Sequence, residues 1–244
     1  MNDVPPPPPP PYGAVPPGGG SPQVGAALSY GFNKYFANIG PVLAVIFISI
    51  AVQIALSLIG QVIVRSLIGI FVFQILGWVV GAIAALGIYK MALMLTAGQT
   101  PDVGQAFQYD RWGQWFGFSL VFGLIVGIGF VLCIIPGLVA LAFFGMAPFF
   151  FIDRGMSIGE ALTASREAAT SRGYAMPVFL SILVGAAGLI ACGIGALVTA
   201  PAAYIAVAYL YRNASGQPVA PAARDHVHVQ VRHGLAHDVV LGDP

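Results

Sequence analysis

The stretch Asp153-Arg-Gly-Met-Ser-Ile-Gly-Glu-Ala-Leu-Thr-Ala-Ser-Arg-Glu-Ala-Ala-Thr-Ser-Arg172 is the most highly charged part of an otherwise apolar chain. It separates two long runs without a charged side chain, residues 112–152 and 173–211. Ser157 and Glu160 have the spacing of a capping box, in which each side chain hydrogen-bonds the other residue's main-chain amide. The pattern therefore predicts a capped connector helix, with Asp153, Ser157, Glu160, Arg166 and Glu167 as its characteristic polar residues.

The composition is typical of a membrane protein. Of 244 residues, 58% are hydrophobic and only 8% are charged, against about 25% charged in soluble proteins. The 31 glycines agree with this, since small residues let membrane helices approach closely. A net charge of +1 gives no electrostatic reason to expect a nucleic acid partner.

The two long uncharged runs each predict a helical hairpin. They contain 41 and 39 residues, so that straight helices would measure roughly 60 Å, about twice the hydrocarbon thickness of a bilayer. Pro136 and Gly137 interrupt the first run, and Gly188, Gly193 and Gly195 interrupt the second, where Pro201 is a competing break. We predict hairpins at 115–134/137–152 and 175–193/196–212.

An earlier hairpin is predicted from the uncharged runs on either side of Arg65. One span is expected near 39–60 and another near 75–96. The apolar segment 61–75 either extends these helices or lies in the membrane interface. The predicted fold is thus all-α, a polytopic bundle with about six transmembrane helices arranged as three hairpins.

A short motif recurs ahead of each hairpin. Val24-Gly-Ala-Ala-Leu28, Val103-Gly-Gln-Ala-Phe107 and Ile158-Gly-Glu-Ala-Leu162 share a branched residue, Gly, Ala and a large apolar residue. Repeated motifs indicate repeated structural units, here near 21–97, 100–152 and 157–212. Each copy predicts an amphipathic helix at the membrane interface. In the third copy Ile158, Ala161, Leu162, Ser165, Ala168 and Ala169 are expected to face the bundle or lipid.

The basic residues predict the orientation. Six spans place Arg65 on one side and nine other Lys and Arg residues on the opposite side. The positive-inside rule makes the nine-residue side cytoplasmic. We therefore predict a multi-pass protein of the cytoplasmic (inner) membrane with both termini inside.

The termini differ in composition from the transmembrane domain, residues 21–212. Residues 1–20 contain seven consecutive prolines and predict a disordered tail, which serves as a spacer or as a ligand for an aromatic-lined groove. Residues 213–244 form a cytoplasmic tail that carries all four histidines, at positions 226, 228, 233 and 237. They either bind a metal or simply belong to a solvated terminus; we favour the latter and predict no metal site.

No catalytic motif is present, and no cofactor is predicted. One polar feature lies inside the predicted spans: Ser49, Gln53, Ser57 and Gln61 follow one another at four-residue intervals along one helix. This stripe either lines a substrate path or forms interhelical hydrogen bonds. Cys133 and Cys192 are either buried thiols or partners in a disulfide near the outer surface.

The third connector and the hairpin after it resemble a bacterial family of multi-pass membrane proteins of unknown function. That family is similar to the membrane domain of glycerophosphoryl diester phosphodiesterases and to the YciC-type inner-membrane proteins. The resemblance is carried by Pro148, Asp153, Gly155, the helix start at 159–162 and Ser165. The Pro/Gly-rich tail is similar to that of actinobacterial proline- and glycine-rich transmembrane proteins. This resemblance implies a six-helix bundle over residues 21–215 and no phosphodiesterase activity.

The sequence therefore predicts a non-enzymatic integral membrane protein that organises the membrane or assists a partner membrane protein. The expected partners are the lipid bilayer and another membrane protein or a second copy of the chain. The alternative is a permease-like or channel-like transporter of a small solute or lipid, which the polar stripe and the internal repeat favour.

Overall fold

The computed structural model describes residues 23–63, 67–188 and 195–221, and these residues form only helices and their connections. The described helices are α1 Val24–Ala37, α2 Ile39–Ile63, α3 Leu67–Thr96, α4 Val103–Phe107, α5 Trp112–Leu132, α6 Ile134–Phe144, α7 Ala147–Arg154, α8 Ile158–Ser171, α9 Ala175–Ala187 and α10 Ala196–Ala214. The predicted all-α membrane bundle is confirmed.

Four stretches of the described chain are long and apolar enough to cross a membrane, fewer than the six predicted spans. They are Ile39–Gln61, Ile68–Thr96, Trp112–Leu132 and Ile134–Arg154. The last predicted hairpin corresponds to α9, an apolar helix of 13 residues, and to α10, a helix of 19 residues. Its predicted turn, with Gly193, lies outside the described residues. Helices α2 and α3, α5 and α6, and α9 and α10 nevertheless pack against each other as three pairs.

The described parts of the segment 61–75 extend both helices of the first hairpin. Helix α2 continues to Ile63, and α3 begins at Leu67 rather than near residue 75. Residues 64–66, with Arg65, lie outside the described residues. Residues 67–75 contain no charged residue and no proline, so the backbone has no reason to leave the helix in hydrocarbon, where every peptide group needs a partner.

The turn of the second hairpin lies at Cys133, just before the predicted Pro136-Gly137 break. Cys133 has an extended backbone, and Pro136 falls in the first turn of α6, where no helical amide bond is lost. Gly129 and Gly137 allow the helices to touch at this turn, since a Cβ on Gly129 would lie 2.9 Å from the Gly137 Cα. Pro201, the competing break of the third hairpin, lies inside α10.

The three repeated motifs begin their helices at the same position. Each helix starts at the branched residue, with Gln23, Asp102 and Ser157 as the N-caps. The alanines Ala27, Ala106 and Ala161 are completely buried in all three copies. Only the last two caps are made by a side chain, and α4 is much shorter than α1 and α8.

Helix α8 faces the bundle as the sequence predicts. Ala161, Ser165, Ala168 and Ala169 are buried, Ile158 and Leu162 are half-buried, and Glu160, Thr163, Arg166, Glu167 and Thr170 are exposed. The buried Ser165 hydroxyl donates a 2.8 Å hydrogen bond to the Phe143 carbonyl oxygen. That bond ties α8 to the point where α6 ends and α7 begins.

Helix α1 packs along α10 rather than only along a surface. Its buried face consists of Ala27, Tyr30, Gly31 and Tyr35, whereas Phe36 is 58% exposed. The two helices run antiparallel, because Tyr30 contacts the Tyr209 ring and Tyr35 reaches the Leu197 carbonyl oxygen. Side-chain size explains the difference, since only Gly31 permits the close crossing with α10.

Candidate functional site

The outer half of the α2–α3 hairpin stands apart from the rest of the bundle. No residue is buried between Phe47 and Gln61 in α2, nor between Ile68 and Gly81 in α3. The first deeply packed residue of α3 is Ala82, whose carbonyl oxygen accepts a 2.8 Å hydrogen bond from the Trp115 indole. This half of the hairpin packs chiefly between its own two helices, although the Trp78 ring also lies 5.9 Å from the Phe116 ring of α5.

The predicted polar stripe lies on this hairpin, and its two serines are bonded within their own helix. The Ser49 hydroxyl donates to the Val45 carbonyl oxygen at 2.7 Å, and the Ser57 hydroxyl donates to that of Gln53 at 2.8 Å. Such back-bonding satisfies a hydroxyl without a partner helix. The interhelical bonds proposed for these serines are therefore not formed within the described structure.

Three members of the stripe line a groove between the two helices. Gln53, Ser57 and Gln61 from α2 and Gln74 from α3 surround an open cavity of about 420 Å³. Ser49 does not reach it. Gly60 and Gly77 set its floor, since a Cβ at Gly60 would lie 2.9 Å from a Phe73 ring carbon.

The glutamine side chains of this groove have hydrogen-bond donors and acceptors that are not used within the described structure. The side chains of Gln53, Gln61 and Gln74 are exposed. Within the described ranges, none of these three carboxamides makes a hydrogen bond. We call this surface the glutamine groove. Gln74 could have been identified from the sequence, since it is the only amide side chain in α3.

The connector residue Asp153 belongs to a separate polar cluster at the opposite end of the bundle. Its Oδ2 accepts a 2.6 Å hydrogen bond from the Tyr211 hydroxyl and a 2.7 Å bond from the Gln217 amide. Arg154 donates to the Ser215 carbonyl oxygen at 2.9 Å, and Arg172 donates to that of Ala214. These arginines thus cap the C-terminal end of α10, where cations are favoured by the helix dipole.

The position of Arg212 near the end of a predicted span suggests a side chain that extends toward solvent, but the structure buries it. It is only 8% exposed. Its Nε donates to the Thr96 hydroxyl at 3.0 Å, and its Nη1 donates to the Pro218 carbonyl oxygen at 3.1 Å. A buried guanidinium of this kind is tolerated because two of its nitrogens donate to protein acceptors. The arginines of this end therefore join helices and do not present an open anion site.

The other connector residues form the predicted capping box. Ser157 Oγ accepts from the Glu160 amide, and Glu160 Oε2 accepts from the Ser157 amide at 2.8 Å. The hydrogen bond from the Ser157 amide, followed by that from its hydroxyl, lowers the pKa of the Glu160 carboxyl below 4.5. Arg166 and Glu167 lie on the exposed face of α8. This cluster stabilises a helix end and contains no nucleophile–base pair.

Cysteine and histidine provide no further site in the described chain. Cys133 is exposed and carries a free thiol, so the buried thiol, one of the two alternatives that the sequence leaves open, is not found at this position. Its exposure follows from its place at the α5–α6 turn. Cys192 and the four histidines lie outside the described residues. Among the residues that are described, no group of three or more His, Cys, Asp or Glu is arranged to hold a metal ion.

Comparisons of the chain with family models, with curated proteins and with solved structures gave no match. The resemblance to the YciC-type proteins and to the phosphodiesterase membrane domain therefore stays a prediction.

Proposed function

We propose that the protein is a non-enzymatic integral protein of the cytoplasmic membrane that associates with a second copy of itself through the glutamine groove. Such association organises the membrane around the paired bundles. The observation that carries this proposal is the exposure of three glutamines on the half of the α2–α3 hairpin in which no described residue is buried.

The cost of leaving these carboxamides in hydrocarbon favours association. An amide transferred to an apolar medium without a partner loses several kcal/mol, about 2–7 depending on the reference state. An interhelical hydrogen bond between polar side chains in a membrane recovers about 0.6–2 kcal/mol. Several such bonds formed together across one interface are enough to hold two membrane hairpins side by side.

The chemistry of the groove favours a second copy as the occupant. Each glutamine carboxamide has both donors and acceptors, so that identical stripes can pair with one another. A two-fold symmetric interface uses the same patch on both subunits and requires this kind of self-complementarity. The described residues that line the groove carry no formal charge, and a partner of opposite charge is therefore not needed to contact them.

The open shape of the groove favours association over solute conduction. A conducting path needs polar groups on walls that surround the solute, whereas this groove has walls from only α2 and α3. The glutamines point along one side of a two-helix hairpin. They therefore present a surface to a neighbour in the bilayer.

The charge distribution supports the proposed cytoplasmic-membrane orientation. Lys90, Arg154, Arg172 and Arg212 gather at the end of the bundle opposite the glutamine groove, where they bond to helix ends and to Thr96. The positive-inside rule then places this end, and with it residues 23 and 221, in the cytoplasm.

Energy transfer between labelled copies tests self-association. Donor and acceptor dyes are attached to the exposed Cys133 of a Cys192→Ala chain, which is reconstituted in vesicles of phosphatidylethanolamine and phosphatidylglycerol. Transfer is followed as lipid dilutes the protein. We expect the parent to form a dimer that persists on dilution. The triple variant Gln53→Leu, Gln61→Leu and Gln74→Leu should dissociate at a higher protein density than the parent.

Ser49→Ala is the matched control. Its hydroxyl is bonded within α2 and lies outside the groove, so that its association should equal that of the parent. A parent chain that is monomeric at every dilution contradicts the proposal. Solute flux through the vesicles that disappears in the triple variant, without any change in association, would instead establish the transporter.

A further inference from the structure

A second cavity lies inside the bundle, far from the glutamine groove. It has a volume of about 330 Å³, within the range of about 300–1,000 Å³ typical of small-molecule sites. Its walls come from α3, α5, α6, α7, α9 and α10. The space exists because small side chains face it, namely Ala186 from α9 and Ala196, Ala200 and Ala203 from α10.

Two tyrosines provide the polar groups of this apolar cavity. Tyr89 of α3 and Tyr204 of α10 meet edge to face, with ring centroids 5.3 Å apart. Each hydroxyl carries one hydrogen, and a bond from one hydroxyl to the other would use only one of the two. One O–H therefore remains to donate to an occupant of the cavity.

The polar group lies toward one end of the cavity. On α10 the lining runs from Ala196, about 12 Å from Tyr204 along a helix that rises 1.5 Å per residue, to Val207, one turn beyond Tyr204. Tyr89 directly precedes Lys90, and Tyr204 lies eight residues, again about 12 Å, before Arg212, so the two rings are on the basic side of the cavity and close to the middle of α10. The rest of the cavity extends away from that side.

The cavity opens on the outer surface of α9. Ala186, part of its wall, is exposed, and so is its neighbour Leu183, which is 46% exposed. This face of α9 is apolar and exposed, as expected of a surface that contacts the bilayer. A molecule already dissolved in the membrane can therefore enter from the side without crossing water.

From this arrangement we infer that the cavity holds one acyl chain of a membrane lipid. The ester carbonyl oxygen of this chain accepts a hydrogen bond from a hydroxyl of the Tyr89–Tyr204 pair. The ester of a phospholipid lies at the border of the hydrocarbon, and its chain runs toward the bilayer centre. In the cavity the tyrosine pair likewise lies on the basic side, and the apolar walls continue from it in the direction in which the acyl chain would run. This site is independent of the glutamine groove and of association through it.

Photo-crosslinking tests the site directly. The full chain is reconstituted in vesicles of phosphatidylethanolamine and phosphatidylglycerol that contain a phosphatidylglycerol with a diazirine in one acyl chain. After irradiation, labelled peptides are mapped by mass spectrometry. We expect labelling of the cavity walls in α9 and α10, in addition to the label that every lipid-facing surface receives.

Two substitutions fill or alter the site. Ala200→Phe occupies the cavity and should abolish labelling of its walls, while labelling of the exposed face of α2 stays unchanged. Tyr204→Phe removes one of the two hydroxyl donors and should lower occupancy about threefold to tenfold, the value of one hydrogen bond. Ala187→Phe, on the exposed outer side of α9, is the matched control and should keep the parent labelling.

Ala186→Leu is a second test that does not depend on whether the Ala200→Phe chain folds. It narrows the mouth at an exposed position, where the packed core is untouched, and it should also lower labelling of the walls. Wall labelling that is unchanged in Ala200→Phe, Ala186→Leu and Tyr204→Phe overturns the inference. A tightly bound molecule that lacks an ester, such as an isoprenoid quinone recovered from purified parent protein, overturns the assignment to a lipid chain.

Discussion

The Tyr35 hydroxyl donates a 3.0 Å hydrogen bond to the Leu197 carbonyl oxygen. Leu197 lies four residues before Pro201, which has no amide hydrogen to give it. A neighbouring helix thus replaces the hydrogen bond that proline removes from α10. Proline is tolerated in membrane helices when neighbours satisfy the freed carbonyl in this way.

Tyr35→Phe should therefore destabilise the bundle by about 0.5–1.5 kcal/mol, the net contribution of one hydrogen bond. Thermal unfolding in detergent measures the change. Pro201→Ala restores an amide that can bond to Leu197, so that Tyr35→Phe should cost less in this background. Equal costs in both backgrounds would show that the tyrosine and the proline are not coupled.

The Asp153–Tyr211 pair leads to a second stability prediction. Tyr211→Phe removes a 2.6 Å hydrogen bond to a carboxylate and should cost about 1.5–3 kcal/mol, as for hydrogen bonds to charged groups. Tyr109→Phe is its matched control, because the Tyr109 hydroxyl is buried without a hydrogen-bond partner. That control should be neutral or stabilising in the same unfolding measurement. A Tyr109→Phe loss as large as that of Tyr211→Phe would contradict this explanation.

The hairpins and the connector α8 could be predicted because their signals are local. Long uncharged runs, a central interruption and the Ser157–Glu160 spacing each act within a few residues of the chain. The same locality explains why Cys133 and Pro136 were placed correctly near a turn. It also explains why the exact start of α3 was missed, since no residue between 67 and 75 stops a helix.

The remaining features depend on contacts between residues far apart in the sequence. The burial of Arg212 follows from Thr96 and Pro218, and the cavity follows from six helices meeting at small residues. The sequence predicts that the helix at Val24 lies at the membrane interface, whereas the close approach at Gly31 packs α1 against α10. None of these contacts has a signature within a single stretch of sequence.

The capping box of α8 should make stability depend on pH. The pKa of Glu160 is lowered on folding by its bonds to Ser157, so its contribution is complete above the usual value of 4.5 and is lost as the pH falls through the lower folded-state value. Glu160→Gln keeps the cap geometry but does not titrate. The parent should unfold at a higher temperature than this variant at neutral pH, and the difference should vanish in acid. A difference that is constant with pH would rule out this role for the carboxylate.

The proposed orientation predicts which side of the membrane exposes Cys133. In a Cys192→Ala chain, a membrane-impermeant maleimide added to intact cells should label Cys133, since the α5–α6 turn lies opposite the basic end. Thr170→Cys, on the exposed face of α8, is made in a chain that also carries Cys133→Ala and Cys192→Ala. Its thiol should be labelled only after the membrane is opened. The reverse pattern would invert the topology.

The crossing of α1 and α10 at Gly31 makes the sharpest prediction for the fold. A Cβ at this position would lie 2.2 Å from the Ala202 carbonyl oxygen and 3.1 Å from the Ala206 amide nitrogen, which belong to the backbone and cannot move aside. Gly31→Ala should therefore force the two helices apart and lower the unfolding temperature strongly, at a cost of about 1–3 kcal/mol typical of overpacking.

Gly25→Ala is the matched control in the same helix. A Cβ at Gly25 meets nothing within 4 Å, and replacing glycine by alanine inside a helix stabilises it by about 0.5–1 kcal/mol. The two variants should thus shift the unfolding temperature in opposite directions. If Gly31→Ala is also neutral or stabilising, α1 does not pack against α10 as described, and the contact of Tyr35 with Leu197 is lost with it.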